Sequence, residues 1–223
     1  MKDNVDLMKL LGTIVENQGG VGAEKYFEAA NKNNPSLISI YFGEESSGKM
    51  YMKPEAQLPE GYDPRKRPWY EVTKGKDYYI TEPYLDASTN KMIISVCVEV
   101  KKDGKTIGVV GSDYMLDKMS ESINRTKIGD TGYMSVFTDT GISVIHPKTD
   151  YIGKDMGKEL FFLKEIIEKK SGEIFYNFDG EKMAIYEYIP ELKWILIGTI
   201  DEKELTKAFN KMIMIIILFL IGV

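Results

Sequence analysis

The chain has 223 residues, of which 43% are hydrophobic and 28% charged, and its formal net charge is −5. That length holds one large domain or two small ones, and the apolar fraction supports packed cores and excludes wholesale disorder. The acidic balance argues against a nucleic-acid partner, which calls for a basic face, and the single cysteine, Cys97, excludes an internal disulfide.

In chain order, Val5, Leu7, Met8, Leu11, Ile14 and Val15 fit an amphipathic helix over residues 5–17. Gly19, Gly20 and Gly22 predict an interruption, followed by a second helix over about 22–33 that Asn34-Pro35 ends. SLISIYFG (36–43) and KMYM (49–52) read as strands around the turn GEESSG, and the Pro-, Gly- and charge-rich stretch 54–70 reads as a loop. KMIISVCVEV and KTIGVVGSD are two strands joined through Asp103-Gly104, a hairpin signal. Cys97 falls in the apolar run Ile93–Val98 and is expected as a small buried hydrophobe. A helix is expected from just after Asp113 to about Arg125.

The pattern then restarts. GYMSVFT and ISVIHP form a strand pair around DTG, residues 157–170 read as a helix, and GEIFYNF and KMAIYEYI flank Asp179-Gly180 in another hairpin. WILIGTID is the last strand, followed by a helix from Glu202. IGVVGSDYMLDKM (107–119) and WILIGTIDEKEL (194–205) share an apolar strand, a glycine, an acid and a charged helix start, and each follows a hairpin strand beginning Lys-Met. This is the signature of an internal duplication, with each copy an antiparallel sheet carrying helices, so the class is α+β. His146-Pro147 holds the one histidine, expected as structural, and no cluster at metal-ligand spacing accompanies it.

Residues Met212–Val223, MIMIIILFLIGV, are uncharged and apolar on every side, which suits the start of a transmembrane helix that needs roughly 20 apolar residues. Lys207 and Lys211 just before them suit a headgroup layer. MKDNVDLMKLLG lacks the features of a signal peptide, so the chain reads as truncated at both ends.

The densest chemistry lies in GYDPRKRPWYEVTKGKDYYITEPYLD (61–86), with Tyr62, Arg65, Arg67, Trp69, Tyr70, Tyr78, Tyr79 and Tyr84. A guanidinium offers a planar fork of donors to a carboxylate, while Trp and Tyr give rigid walls. Asp86 and Asp113 can accept from an ammonium group. One guanidinium with one or two carboxylates is complementary to a zwitterion. Arg65 and Lys66 are expected to hold the loop, Asp86 doubles as a turn candidate before ASTN, and Asp113 doubles as a helix N-cap candidate.

The spacing of Tyr62, Arg67, Trp69, Tyr70, Asp86 and Asp113, around the core DPRKRPWY, resembles the amino-acid-binding signature of double Cache (dCache) sensor domains of bacterial and archaeal receptors. The resemblance covers about residues 5–211. It implies two tandem PAS-like (Cache) units on a long N-terminal helix. Residues 1–34 would form the helical segment, 35–125 the membrane-distal ligand-binding unit with a connecting helix, 126–205 the membrane-proximal unit, and 206–223 the C-terminal helix and start of the transmembrane segment. It also implies that Arg67 and Trp69, with Tyr62, hold a ligand carboxylate, and that Tyr70 and Asp113 hold the ammonium, with Asp86 beside it. Tyr84 joins them as a ligand-binding candidate in the same loop.

The function expected is therefore an extracytoplasmic ligand-binding sensor of a transmembrane receptor at the cell membrane, of the methyl-accepting chemotaxis type, with a free amino acid as ligand. An amine, a small carboxylate or a purine is the alternative ligand, and a sensor kinase or cyclic-dinucleotide module the alternative output. No Ser-His-Asp set, P-loop, GxGxxG or HExxH is present, so no enzyme activity, cofactor or metal is expected. The membrane and a homodimer of the full receptor complete the expected partners.

Overall fold

A single glycine sets the course of the N-terminal helix. In the computed structural model, which describes residues 2–32, 34 and 37–221 and their side chains through Met214, α1 spans Lys2–Lys32. The expected interruption narrows to Gly19, at φ 70 and ψ 176, a conformation open essentially to glycine alone. The helix kinks there and resumes instead of stopping at the glycine cluster. Val5, Met8, Leu11, Val15 and Phe27 are buried on both sides of the kink.

The first compact unit is Met1–Met119. It contains β1 (Leu37–Glu44), β2 (Met50–Lys53), a short helix α2 (Pro68–Glu71), β3 (Tyr79–Ile80), β4 (Tyr84–Leu85), β5 (Met92–Lys102) and β6 (Lys105–Met115). The sheet is antiparallel in the order β2-β1-β6-β5-β3, with β4 also paired to β5. Asp103 and Gly104, both at positive φ (51 and 76), close the β5–β6 hairpin. β6 runs on through Met115, so Asp113 lies inside a strand and the following helix, α3 (Leu116–Asn124), begins two residues later than expected. That removes the N-cap role for Asp113.

Side chains along a strand alternate between faces, so register sorts this unit. A Cβ at Gly12 of α1 would touch Val98 and Val100, which places the even-numbered residues of β5 under the helix. Val110 and Phe42 share that face through the pairs Val98↔Val110 and Phe42↔Val110. Tyr41, Cys97 and Gly111, paired across the same three strands, face the other way. There the 54–91 segment covers them, which is why the whole run Ile93–Val98 is buried. Cys97 is buried as expected, and burial pushes its thiol pKa well up.

The second compact unit is Ser120–Val223. It contains β7 (Tyr133–Thr138), β8 (Ser143–Ile145), α4 (Phe161–Lys169), β9 (Gly172–Asn177), β10 (Glu181–Ile189), β11 (Trp194–Asp201) and α5 (Glu202–Ile221). Its sheet order is β8-β7-β11-β10-β9. With the two-residue β4 left out of the count, both sheets run second, first, fifth, fourth, third, which is the duplicated topology the repeated strand–helix junction pointed to. α4 is shorter than the predicted 157–170 because Met156 and Leu160 are held in a turn, through Met156 N–H on Gly141 and Leu160 N–H on Met156. Leu163 and Ile166 of α4 pack with Phe137, Tyr186, Ile195 and Ile197 in one core.

None of the described helices is long and apolar enough to cross a membrane. The apolar run expected to begin a transmembrane segment continues helical backbone to Ile221, and its last two residues, 222 and 223, lie outside the described residues.

Candidate ligand cavity in the first unit

Gly43 of β1 lets the DPRKRPWY segment lie flat on the sheet. A Cβ there would come within 2.9 Å of Pro64 and 3.1 Å of the rings of Trp69 and Tyr70. Asp63 starts the segment by accepting from Arg65 N–H at 3.0 Å. It also takes the Arg65 guanidinium at 2.9 and 2.8 Å, and those bonds hold its carboxyl pKa at about 2. Arg65 reaches on to the Glu45 carbonyl at 3.2 Å, so it anchors the loop, as expected. Pro68 then sits at the start of α2, where its missing N–H and fixed φ are tolerated. The one turn of α2 turns Trp69 and Tyr70 inward.

The result is a narrow cavity between the odd-numbered face of the sheet and the loop. Six of the seven candidate residues line it: Tyr62, Arg67, Trp69, Tyr84, Asp86 and Asp113. Tyr70 does not. It is fully buried behind Trp69, its ring 5.4 Å from the indole, and its hydroxyl donates to Glu45 at 2.8 Å. Burial first, then the Glu45 carboxylate, drives its pKa up, so it stays a donor committed to Glu45. Tyr70 thus braces the cavity wall from outside.

Asp113 is the buried polar centre. Its Oδ1 accepts from Ser95 Oγ at 2.5 Å and from the Tyr41 hydroxyl at 2.6 Å, and no cation of the described residues pairs with it. Tyr84 shares a 2.6 Å bond with the same Ser95 hydroxyl. Burial raises the Asp113 pKa to about 7, opposed by the two hydroxyl bonds and reinforced by the charge of Asp86. Asp86 is built differently. Its Oδ2 gathers the N–H and hydroxyl groups of both Ser88 and Thr89, at 2.6–3.3 Å. Burial alone would raise its pKa, but these bonds outweigh it and lower it. Asp86 therefore does hold a turn, while still lining the cavity.

Arg67 is the counterpart. Its guanidinium lies 5.6 Å from the centroid of the Tyr62 ring, and among the described residues no carboxylate pairs with it. Trp69 packs its indole 4.8 Å from the Tyr41 ring and is 2% exposed. Tyr41 and Ser95 escaped the sequence reading although they hold the central carboxyl, as did Met50, Met52 and Leu58 in the wall. The signal for Tyr41 and Ser95 was strand parity with Asp113, which becomes readable only once the register is known. Among the described residues no group of three His, Cys, Asp or Glu side chains is placed to hold a metal ion.

A duplicated α+β sheet order, with the connection after the second strand folded over one face to enclose a cavity, defines a tandem two-unit α+β class. The chain belongs to the Cache domain family, whose double-Cache (dCache_1) profile matches residues 4–209. The methyl-accepting chemotaxis protein McpG of Pseudomonas putida is 32% identical over 181 residues, covering 78% of this chain and 27% of McpG. This chain spans about a quarter of the length of the curated relatives it matches. Among solved structures, the ligand-binding domain of the Pseudomonas fluorescens chemoreceptor CtaA, in complex with L-serine, superposes with a TM-score of 0.77 at 22% identity. It covers 91% of this chain and 89% of that one. The ligand-binding domain of Mlp24 with asparagine gives a TM-score of 0.69 at 26% identity, covering 89% and 82%.

Proposed function

We propose that this chain is the extracytoplasmic ligand-sensing domain of a membrane chemoreceptor and that its first unit binds a free amino acid without chemical change. One observation carries the reading. A single cavity presents a guanidinium, Arg67, and a buried carboxyl, Asp113, neither of which has a partner of opposite charge among the described residues. Each charge is costly to leave alone, and an α-amino acid supplies both missing partners at once. Arg67 takes the carboxylate, with Trp69 and Tyr62 as walls. Asp113, ionised by the incoming ammonium, takes the other end, and Asp86 adds negative potential beside it. Tyr84 and Tyr41 fix Asp113 through the Ser95 hydroxyl and directly, and Tyr70 holds the wall through Glu45.

Chemotaxis-protein relatives and the amino-acid complexes of the similar domains support this reading. On it, the apolar sequence after Lys211 enters the membrane and couples the sensor to an output module. Signalling requires the ligand to favour one conformation over another, and the pairing of full receptors as homodimers fits that role. Calorimetric titration with the common amino acids tests it. Binding in the micromolar range, about −8 kcal/mol, is expected for at least one of them. An amine or carboxylate lacking the second charge is expected to bind far more weakly, and equal binding of such a half-ligand would sink the zwitterion reading.

A further inference from the structure

The second unit also has a cavity in the corresponding place. It too lies over one face of its sheet, beneath the connection between the second and third strands. Its walls are aromatic: Tyr133, Tyr151, Phe162, Tyr176 and Phe178. The Phe162 and Tyr176 rings stack at 3.9 Å. Lys148 closes one edge, 5.6 Å from the Tyr151 ring and 5.9 Å from the Phe178 ring, paired to Asp179 at 2.6 Å.

His146 supplies the polar centre. It is 5% exposed, lines the cavity, and accepts the Lys148 backbone N–H on Nδ1 at 3.0 Å. The ring proton therefore sits on Nε2, which has no protein acceptor among the described residues. Burial lowers the His146 pKa to about 4, so the ring stays neutral and keeps one N–H to donate. Lys182 lines the same cavity with its side chain 12% exposed. It pairs with Asp201 at 2.6 Å and keeps further N–H donors to give. Thr199, on the covered face of the central strand, has its hydroxyl 3.3 Å from that of Tyr176.

The chemistry differs from that of the first unit at the matching position. There the central strand β6 offers Asp113 onto the covered face. In the second unit the central strand β11 offers Ile197 and Thr199, and the carboxylate further along that face, Asp201, is already neutralised by Lys182. Among the described residues, an ammonium finds no free carboxylate in the depth of this cavity. A strong acceptor finds an unused imidazole N–H, an ammonium with donors to spare, and aromatic walls.

We propose that the cavity of the second unit is a second binding site, for a small carboxylate with an apolar body. His146 Nε2–H and Lys182 hold the carboxylate, and the Phe162–Tyr176–Phe178 wall holds the body. This stands independently of the amino-acid reading of the first unit.

The chain has one histidine, so its imidazole gives a single, assignable NMR signal. Acetate, butyrate and benzoate would be titrated into the full chain carrying Arg67→Ala, which removes the first cavity's anion partner. Benzylamine and benzyl alcohol would serve as controls. A saturable shift of the His146 signal is expected with the carboxylates, strongest for benzoate. His146→Phe, which keeps the ring volume, is expected to weaken benzoate binding about tenfold or more by calorimetry. If that variant does not fold, Lys182→Met carries the same expectation. No saturable shift, equal binding of benzylamine or benzyl alcohol, or undiminished benzoate binding in the folded variant would each overturn the proposal.

Discussion

The two units share a strand order and part company at the segment laid over one face of the sheet. In the first, the cover is a loop nailed down by Arg65, Asp63 and Tyr70, and it encloses opposed, unpaired charges. In the second, the cover is α4 with a ring-lined turn, and the charges at its cavity are already matched. One topology thus makes two cavities of different character, because the residues offered by the central strand, Asp113 in the first and Ile197 and Thr199 in the second, and the cover laid over them both differ. A cavity with unmet charges is unstable until filled, which is what a sensor needs.

The sharpest way to break that contrast is Arg67→Ala. It is expected to weaken amino-acid binding by 100-fold or more, on the order of 3 kcal/mol, because it removes a charge-assisted partner in a desolvated site. Calorimetry would show this with the thermal midpoint of the unliganded chain nearly unchanged. Tight residual binding would move the carboxylate site elsewhere.

Asp113→Asn comes next. It is expected to cost amino-acid affinity by roughly tenfold to a hundredfold and yet to stabilise the empty chain at alkaline pH. Burial raises the Asp113 pKa from its ordinary 3.8 to about 7 in the fold. Its stabilising contribution is therefore complete below pH 4 and is lost as pH rises through 7, on the order of 4 kcal/mol in all. Urea unfolding at pH 4 and pH 8 would compare parent and variant. A parent no less stable at pH 8, relative to the variant, would contradict a raised pKa.

The same group sets a pH dependence of binding. The ammonium pairs only with ionised Asp113, so affinity is expected to fall as pH drops below 7, by up to about tenfold per pH unit. Proton release on binding near pH 6 would accompany it, visible as a buffer-dependent enthalpy. The second cavity should show no such step, since the His146 imidazole, its pKa lowered to about 4 by burial, stays neutral across that range.

The smallest effects concern two glycines. Gly43→Ala drives a methyl into Pro64, Trp69 and Tyr70, and should cost about 1–3 kcal/mol of stability along with ligand affinity. In the second unit, Gly198→Ala meets Ile128 at an ordinary 3.4 Å and should change stability by about 0.5 kcal/mol or less. Equal costs would mean that the loop does not rest on β1 as described.

Much of this was legible from residue order because the elements are locally marked. The Asp103-Gly104 and Asp179-Gly180 turns fixed two hairpins, and the repeated strand–glycine–acid–helix junction exposed the duplication. The aromatic, arginine-rich loop gave five of the cavity-lining residues because they cluster in sequence, and Asp113 stood out as the acid of the repeated junction. Tyr41 and Ser95 were invisible for the opposite reason. They sit in uniformly buried strands, SLISIYFG and MIISVCVEV, where every position looks like core, and only cross-strand register puts them beside Asp113. Tyr70 misled because its neighbour in sequence, Trp69, faces the cavity, and one residue further along a helical turn faces Glu45 instead. Where α1 would end depended on Gly19 alone, and a glycine cluster does not say whether a helix kinks or stops.

The central claim is that the first cavity completes its charges with one zwitterion. A crystal structure of the chain grown with the amino acid that most raises its melting temperature tests this directly. Ligand density is expected in the first unit, with the carboxylate about 3 Å from the Arg67 guanidinium and the ammonium about 3 Å from Asp113. Density with the ligand reversed, or with Arg67 turned away and Asp113 still bonded only to Tyr41 and Ser95, would contradict it.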